Sequence, residues 1–192
     1  MALPVSTYNY YMIANEELAE KLNLDINYDE LSWSEVLKLV KVIEEKAPDT
    51  YLFNSMGNKR YREVYISRML ASNMHDLIDF ENKSVDLNQE WFKELLRTFK
   101  EACKSKNFIK TDGEFDMVDT LDGCLFTFNS SSGIGYRDSL GRFREYNKSG
   151  KSKYILMFKG EKNNNRLGYS EEMYAINNRS ERKESAWKFL SF

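Results

Sequence analysis

The chain closes on YAINNRSERKESAWKFLSF, residues 174–192, which reads as a strand end, a polar turn and the opening of a helix. Ser180 stands where an N-cap accepts from a free helix N–H, and Glu181 suits the positive end of the helix dipole. Ala186, Trp187 and Leu190 share one apolar side. An apolar helix side needs a surface to cover it. What that surface is depends on the elements that come before.

At 192 residues, with 42% hydrophobic and 14% aromatic content, the chain can bury a core of ordinary size: one domain, or one domain plus a piece of another. Its 30 acidic and 28 basic residues leave a net charge of −2, which argues against a dedicated nucleic-acid binder. The basic run NKRYR (58–62) is short and flanked by acids. No stretch approaches the ~20 apolar residues of a membrane span. The start, MALPVSTYNYYM, has neither the charged n-region nor the long apolar core of a signal peptide.

Moving inward from the N-terminus, ALPVSTYNYYMIAN is β-branched and aromatic, as a strand requires. Asn15 then caps a short helix with glutamates in its first turn. Ser32 and Glu35 form a capping box for SWSEVLKLVKVIEEKAP, with Trp33, Val36, Leu37, Val40 and Ile43 on one face and Pro48 as the stop. TYLFN (50–54) reads as a short buried strand. Residues 59–73 form a helix with Tyr61, Val64, Tyr65, Arg68 and Met69 along one side. HDLIDFENKSVDL (75–87) folds as two extended pieces about a polar turn.

The strongest helical pattern covers 88–104, through Trp91, Phe92, Leu95, Leu96, Phe99 and Cys103. A weak helix at 114–121 leads into CLFTFN (124–129), a continuous apolar run of the buried kind. KYILMF (153–158) is a further buried strand, KGEKNNNRLGYS (159–170) a solvated loop, and EMYAIN (172–177) the last strand. Strands alternating with helices predict α/β or mixed α+β layers.

Candidate chemistry is sparse. His75 is the only histidine and no nucleophile-elbow pattern accompanies it, so it reads as a surface or helix-end residue. No metal-ligand spacing or EF-hand loop is present. Cys103 and Cys124 sit in apolar periodic stretches as small buried hydrophobes, with a disulfide between them left open. Paired carboxylates for glycoside hydrolysis meet only in three dimensions, so 30 acids carry little information. SSSGIG (130–135) lacks the residues of a Walker or dinucleotide loop but suits the lining of a polar ligand at a strand end. The tyrosines stand out. Tyr8, Tyr10, Tyr11, Tyr61 and Tyr136 lie beside hydroxyl, amide and guanidinium groups, which is what a sugar needs for stacking and hydrogen bonding.

The order of these pieces resembles a known family. ALPVSTYNYYMIANEELAEKLNLD (2–25) is similar to the interdomain crossover of the extracellular solute-binding proteins of ABC transporters, the family that includes maltose-binding protein. IANEEL and the Trp-led LSWSEVLKLVKVI follow in the same order. GCLFTFNSSS (123–132) resembles the family's strand and loop, and the closing YAINNRSERKESAWKFLSF resembles its Ile-Asn…Ser…Lys-Glu…Trp…Phe-Leu element. Two departures stand out: Ala14 replaces a usual tyrosine, and SSS replaces the Gly-Pro-Trp of many sugar binders, weakening the case for sugar stacking at that loop.

The resemblance implies an α/β lobe of a type II periplasmic-binding-protein-like fold, with a mixed central sheet flanked by helices. Residues 1–168 would be the C-terminal lobe, entered at the first crossover. Residues 169–192 would return to the N-terminal lobe, most of which the chain lacks. It implies capture of a small polar solute, best matched by a sugar, for import through an ABC permease, by a lipoprotein at the cell surface or in the periplasm. No catalytic residue, cofactor or metal is implied. Carried over position by position, the ligand-facing residues are Ser6, Thr7 and Tyr8; Asn58, Arg60 and Tyr61; Ser130, Ser131, Ser132 and Tyr136; and Tyr169 and Ser170. Two rival readings are a protein-interaction module on the same scaffold and a glycan-acting enzyme domain.

Overall fold

The computed structural model describes residues 2–54, 61–110, 123–130, 151–162, 166, 168–176 and 179–190, of which 2–10, 128–130, 168–175 and 190 are described by backbone alone. The chain divides into two compact units: residues 10–167, and residues 1–9 with 168–192.

The larger unit is built on a five-stranded sheet. Its strands are the second half of β1 (Ala2–Asn15), β2 (Tyr51–Asn54), β5 (Ile109–Lys110), β6 (Cys124–Ser130) and β7 (Ser152–Leu156), in the order β5-β2-β6-β1-β7. β2 pairs parallel with β5 and β6, while β1 pairs antiparallel with β6 and β7. One strand therefore runs against the other four. Phe53 opposes Phe126 across the central pair. Leu52 and Leu125, one residue earlier, point to the other face, and all four are 0% exposed. Burial on both faces explains why YLFN and CLFTFN are continuous apolar runs.

Around this sheet lie α1 (Glu16–Lys21), α2 (Trp33–Lys46), α3 (Tyr61–Leu77) and α4 (Glu90–Ala102). Asn15 Oδ1 accepts the Leu18 N–H at 2.9 Å and starts α1. At α2 the capping box is complete in both directions: Ser32 Oγ accepts from Glu35 N–H and the Glu35 carboxylate accepts from Ser32 N–H. Trp33, Val36, Leu37, Val40 and Ile43 are all at most 2% exposed, each stabilising by about 1.5–3 kcal/mol. The aromatic core joins strands to helices. The Phe53 ring stacks on Tyr65 at 4.2 Å and meets Phe108 edge-on at 5.6 Å, while Phe158 meets Phe126 and Trp33 edge-on at 5.1 Å each.

β3 (Ile78–Asp79) and β4 (Ser84–Val85) form the hairpin expected at 75–87. Asp79 Oδ1 accepts from the N–H groups of Glu81 and Asn82 at 3.0 Å each, an Asx turn that closes it.

Three elements differ from expectation. α3 continues to Leu77, because Ser72 and Asn73 turn inward to partners far along the chain. β5 was not anticipated; two residues carry no period. In the smaller unit, β8 (Gly168–Ala175) begins inside a stretch read as loop, because Gly168, Tyr169 and Ser170 find strand partners in β1. Cys103 and Cys124 are both free thiols, closing the question of a disulfide. The helix expected at 114–121 and the loop from 131 to 150 lie outside the described residues.

The smaller unit pairs Ala2–Asn9 with β8 antiparallel, with irregularities on either side of Ser6. They begin beside Pro4, which has no N–H to give the ladder. α5 (Lys183–Leu190) follows. It starts later than Ser180 suggests, yet Ser180 Oγ still accepts the Arg182 N–H at 3.2 Å. Trp187 is 42% exposed and Phe189 81%.

Candidate functional site

Because β2, β5, β6 and β7 run one way, their carboxyl ends, Asn54, Lys110, Ser130 and Leu156, gather at a single edge of the larger unit. β1 passes that edge at Tyr10 and Tyr11, which oppose Ser130 and Asn129; Tyr11 also opposes Leu156. β2 and β6 are neighbours there, but their onward connections diverge. The chain leaving β2 goes outward to β5, and the chain leaving β6 goes to β7 beyond β1. Diverging connections at neighbouring carboxyl ends open the crevice in which α/β sheets hold ligands.

The described walls of this edge are firmly held. Asn54, the last residue of β2, is 6% exposed. The Tyr65 hydroxyl donates to its carbonyl at 2.9 Å, and burial pushes the Tyr65 phenol well above its usual pKa. Tyr61, half-buried, opens α3. The Arg62 guanidinium lies 5.7 Å from the Tyr61 ring and donates to the Cys103 carbonyl at 3.5 Å.

The segment after β7 is strapped down as well. The Glu161 carboxylate accepts from both Ser34 N–H at 2.8 Å and Ser34 Oγ at 2.7 Å, adding an anion at the N-terminus of α2. Glu161 N–H donates to Asn73 Oδ1 at 2.8 Å, and Trp33 Nε1 donates to Ser72 Oγ at 3.2 Å. Lys159 continues the strap, with its N–H on the Leu31 carbonyl at 3.1 Å and its Nζ on Glu30 at 2.6 Å.

Of the residues expected at a ligand face, Tyr61 stands at this edge and Ser130 reaches it by its backbone, opposite Tyr10. Five others meet in the smaller unit: Thr7 opposes Ser170, Tyr8 opposes Tyr169, and Ser6 opposes Glu172. Asn58, Arg60, Ser131, Ser132 and Tyr136 lie outside the described residues. Reading the sequence missed Asn54 and Tyr65. Asn54 carried a signal, a polar residue closing a buried apolar run. Tyr65 was read only as one of an apolar helix side.

Two surface grooves lie elsewhere. One of about 500 Å³ runs between α2 and α4 among Lys38, Lys41, Glu94, Arg97 and Glu101. The other, about 340 Å³, opens at the amino edge of the sheet beside Asn15, Thr50 and Gly123. Both are open furrows with mixed lining, charged residues beside apolar ones such as Leu37 and Val40 in the first and Leu18 and Leu22 in the second, away from the carboxyl edge. His75 is exposed in the last turn of α3, its ring 5.7 Å from Phe80. Among the described residues, no group of three or more His, Cys, Asp or Glu could hold a metal ion. No helix among them is long and apolar enough to cross a membrane.

No protein-family model and no curated protein matches the chain. Solved structures do. Apo RafE from Streptococcus pneumoniae is 17% identical with a TM-score of 0.57, over 98% of this chain and 49% of that one. The sugar-binding protein MalE from Xanthomonas citri is 14% identical with a TM-score of 0.61, over 95% and 46%. The GacH receptor of Streptomyces glaucescens, also solved with acarbose, is 18% identical with a TM-score of 0.54, over 98% and 47%. The fold is that of one lobe of a solute-binding protein. The chain spans about half the length of the structures it matches. Its five-stranded mixed sheet with flanking helices is the expected architecture, and the neighbours are binding proteins rather than enzymes.

Proposed function

We propose that this chain is the C-terminal lobe of a carbohydrate-binding protein that delivers its ligand to an ABC permease. The observation that carries the reading is the likeness of nearly the whole chain to sugar-binding solute-binding proteins. One of them, RafE, is also solved with raffinose, and another match from Bacillus licheniformis with stachyose. Residues 1–168 form the lobe and its entering crossover; residues 169–192 return to an N-terminal lobe. The protein is a lipoprotein of the cell surface or periplasm, and it captures without catalysis.

In this reading the solute is held between the two lobes. Ser6, Thr7, Tyr8, Tyr169 and Ser170 contribute from the crossovers. Tyr61 and Ser130 contribute from the larger unit, together with Asn58 and Arg60 from the segment that follows β2 in sequence and Ser131, Ser132 and Tyr136 from the segment that follows β6. Tyrosine faces stack on sugar C–H surfaces while hydroxyls, amides and the guanidinium bond to its hydroxyls. Closure of the lobes about the crossover strands completes the site.

Calorimetry with raffinose, stachyose, a maltodextrin and mannitol tests this, on this chain and on the protein with both lobes. The two-lobed protein binds at least one of them. This chain alone binds it about 100-fold more weakly or worse, because half of the contacts are absent. Undiminished affinity in the single lobe sinks the two-wall picture. The exposure of Met74, Phe80, Val85 and Leu87 favours a second reading, protein docking on the same scaffold. Failure of every carbohydrate to bind the two-lobed protein turns the choice toward it.

A further inference from the structure

Tyr65 carries a hydroxyl that core packing does not call for. Its ring is 2% exposed and lies nearly parallel to Phe53, at 4.2 Å and 19°. A phenylalanine fills that space equally well, and burying a hydroxyl is costly unless it is hydrogen-bonded. The bond it makes is to the carbonyl of Asn54, the final residue of β2, at 2.9 Å. Tyr65 also sits one helical turn after Tyr61, so the two side chains lie one above the other on α3. One side chain thus ties the end of a central strand to the second turn of the helix. Arg62, on the Cys103 carbonyl at 3.5 Å, ties the first turn to the end of α4.

We propose that Tyr65 is a positioning residue for the carboxyl edge: acting through Asn54, its hydroxyl fixes where β2 ends and where Tyr61 stands. The functional part of this rests on the solute-binding reading, in which that edge is the ligand wall. The mechanical part does not. A central strand end pinned by a neutral phenol keeps its shape without placing a charge beside a polar ligand. The phenol stays protonated across the physiological range, so the tie does not titrate there.

The test is amide hydrogen exchange on the full chain without any sugar, comparing wild type, Tyr65→Phe and Val40→Ala. Tyr65→Phe keeps the ring and its stack, so the variant folds. Val40→Ala loosens α2 and serves as the reference for general destabilisation. The expected result for Tyr65→Phe is exchange about tenfold faster at residues 52–54 and 65–68, with α4 and β6 unchanged. Val40→Ala instead raises exchange broadly. A Tyr65→Phe pattern that matches Val40→Ala, or shows no acceleration at 52–54, overturns the proposal. Because no sugar is present, this failure is distinct from failure of the carbohydrate reading.

Discussion

Two helices of this chain carry a serine before the first turn, a glutamate inside it and a tryptophan among their apolar residues, yet they end in opposite states. In α2 the tryptophan, Trp33, is 0% exposed; in α5 the tryptophan, Trp187, is 42% exposed. Both serines serve their helix starts: Ser32 closes a full capping box and Ser180 accepts from Arg182. The difference is in what stands opposite. Trp33 meets Phe158 edge-on and donates its indole N–H to Ser72, partners brought from 125 and 39 residues away. Capping is a local property, whereas burial is conferred by other elements.

This contrast can be broken by mutation. Trp33→Ala removes a fully buried ring and leaves the Ser72 hydroxyl without its donor, and should cost about 3–5 kcal/mol in urea denaturation. Trp187→Ala, the same change on α5, should cost under about 1 kcal/mol in that assay. Equal losses would mean that α5 is covered in solution. Glu161→Ala should cost about 1–2 kcal/mol, because it strips Ser34 of both acceptors at the start of α2. Ser32→Ala should cost about 1 kcal/mol and Ser180→Ala less, since only the former closes a reciprocal box.

The smallest effect concerns pH. The Ser32 backbone N–H holds the Glu35 carboxyl below its ordinary value near 4.5. A depressed carboxyl contributes stability that is present above the unfolded value and lost as pH falls through the folded one. Glu35→Gln should therefore lower stability slightly at neutral pH, leave it little changed in acid where the wild-type carboxyl is protonated, and so flatten the acid limb of the stability curve below about 4.5. An acid limb as steep as that of the wild type would show that the capping-box carboxylate carries no linkage.

What the sequence made legible follows the same division. The α2 face, its capping box, the runs YLFN and CLFTFN and the hairpin turn at Asp79 are written in neighbouring residues, and they stand as read. The start of β8 at Gly168 was not legible, because its partner Asn9 lies at the far end of the chain. Nor were Ser72 and Asn73, ordinary polar residues on a helix until Trp33 and Glu161 arrive. At the candidate site, cross-strand pairing brings Thr7 to Ser170 and Tyr8 to Tyr169, two sets that the family order alone had suggested. The tie from Tyr65 to Asn54 shows only in coordinates, because a tyrosine on an apolar helix side reads as packing.

The lone antiparallel strand also bears on how the molecule is made. β1 is synthesised well before its partners: Tyr10 waits for Ser130, Tyr11 for Leu156 and Ala2 for Ala175. Between them, β2, α3, α4 and β5 are contiguous in the chain and can condense early at low loop-closure cost. During that interval an aromatic, β-branched strand stands unpaired, the kind of edge on which nascent chains associate. The strand that stitches the sheet together is thus also the one that waits longest for its partners.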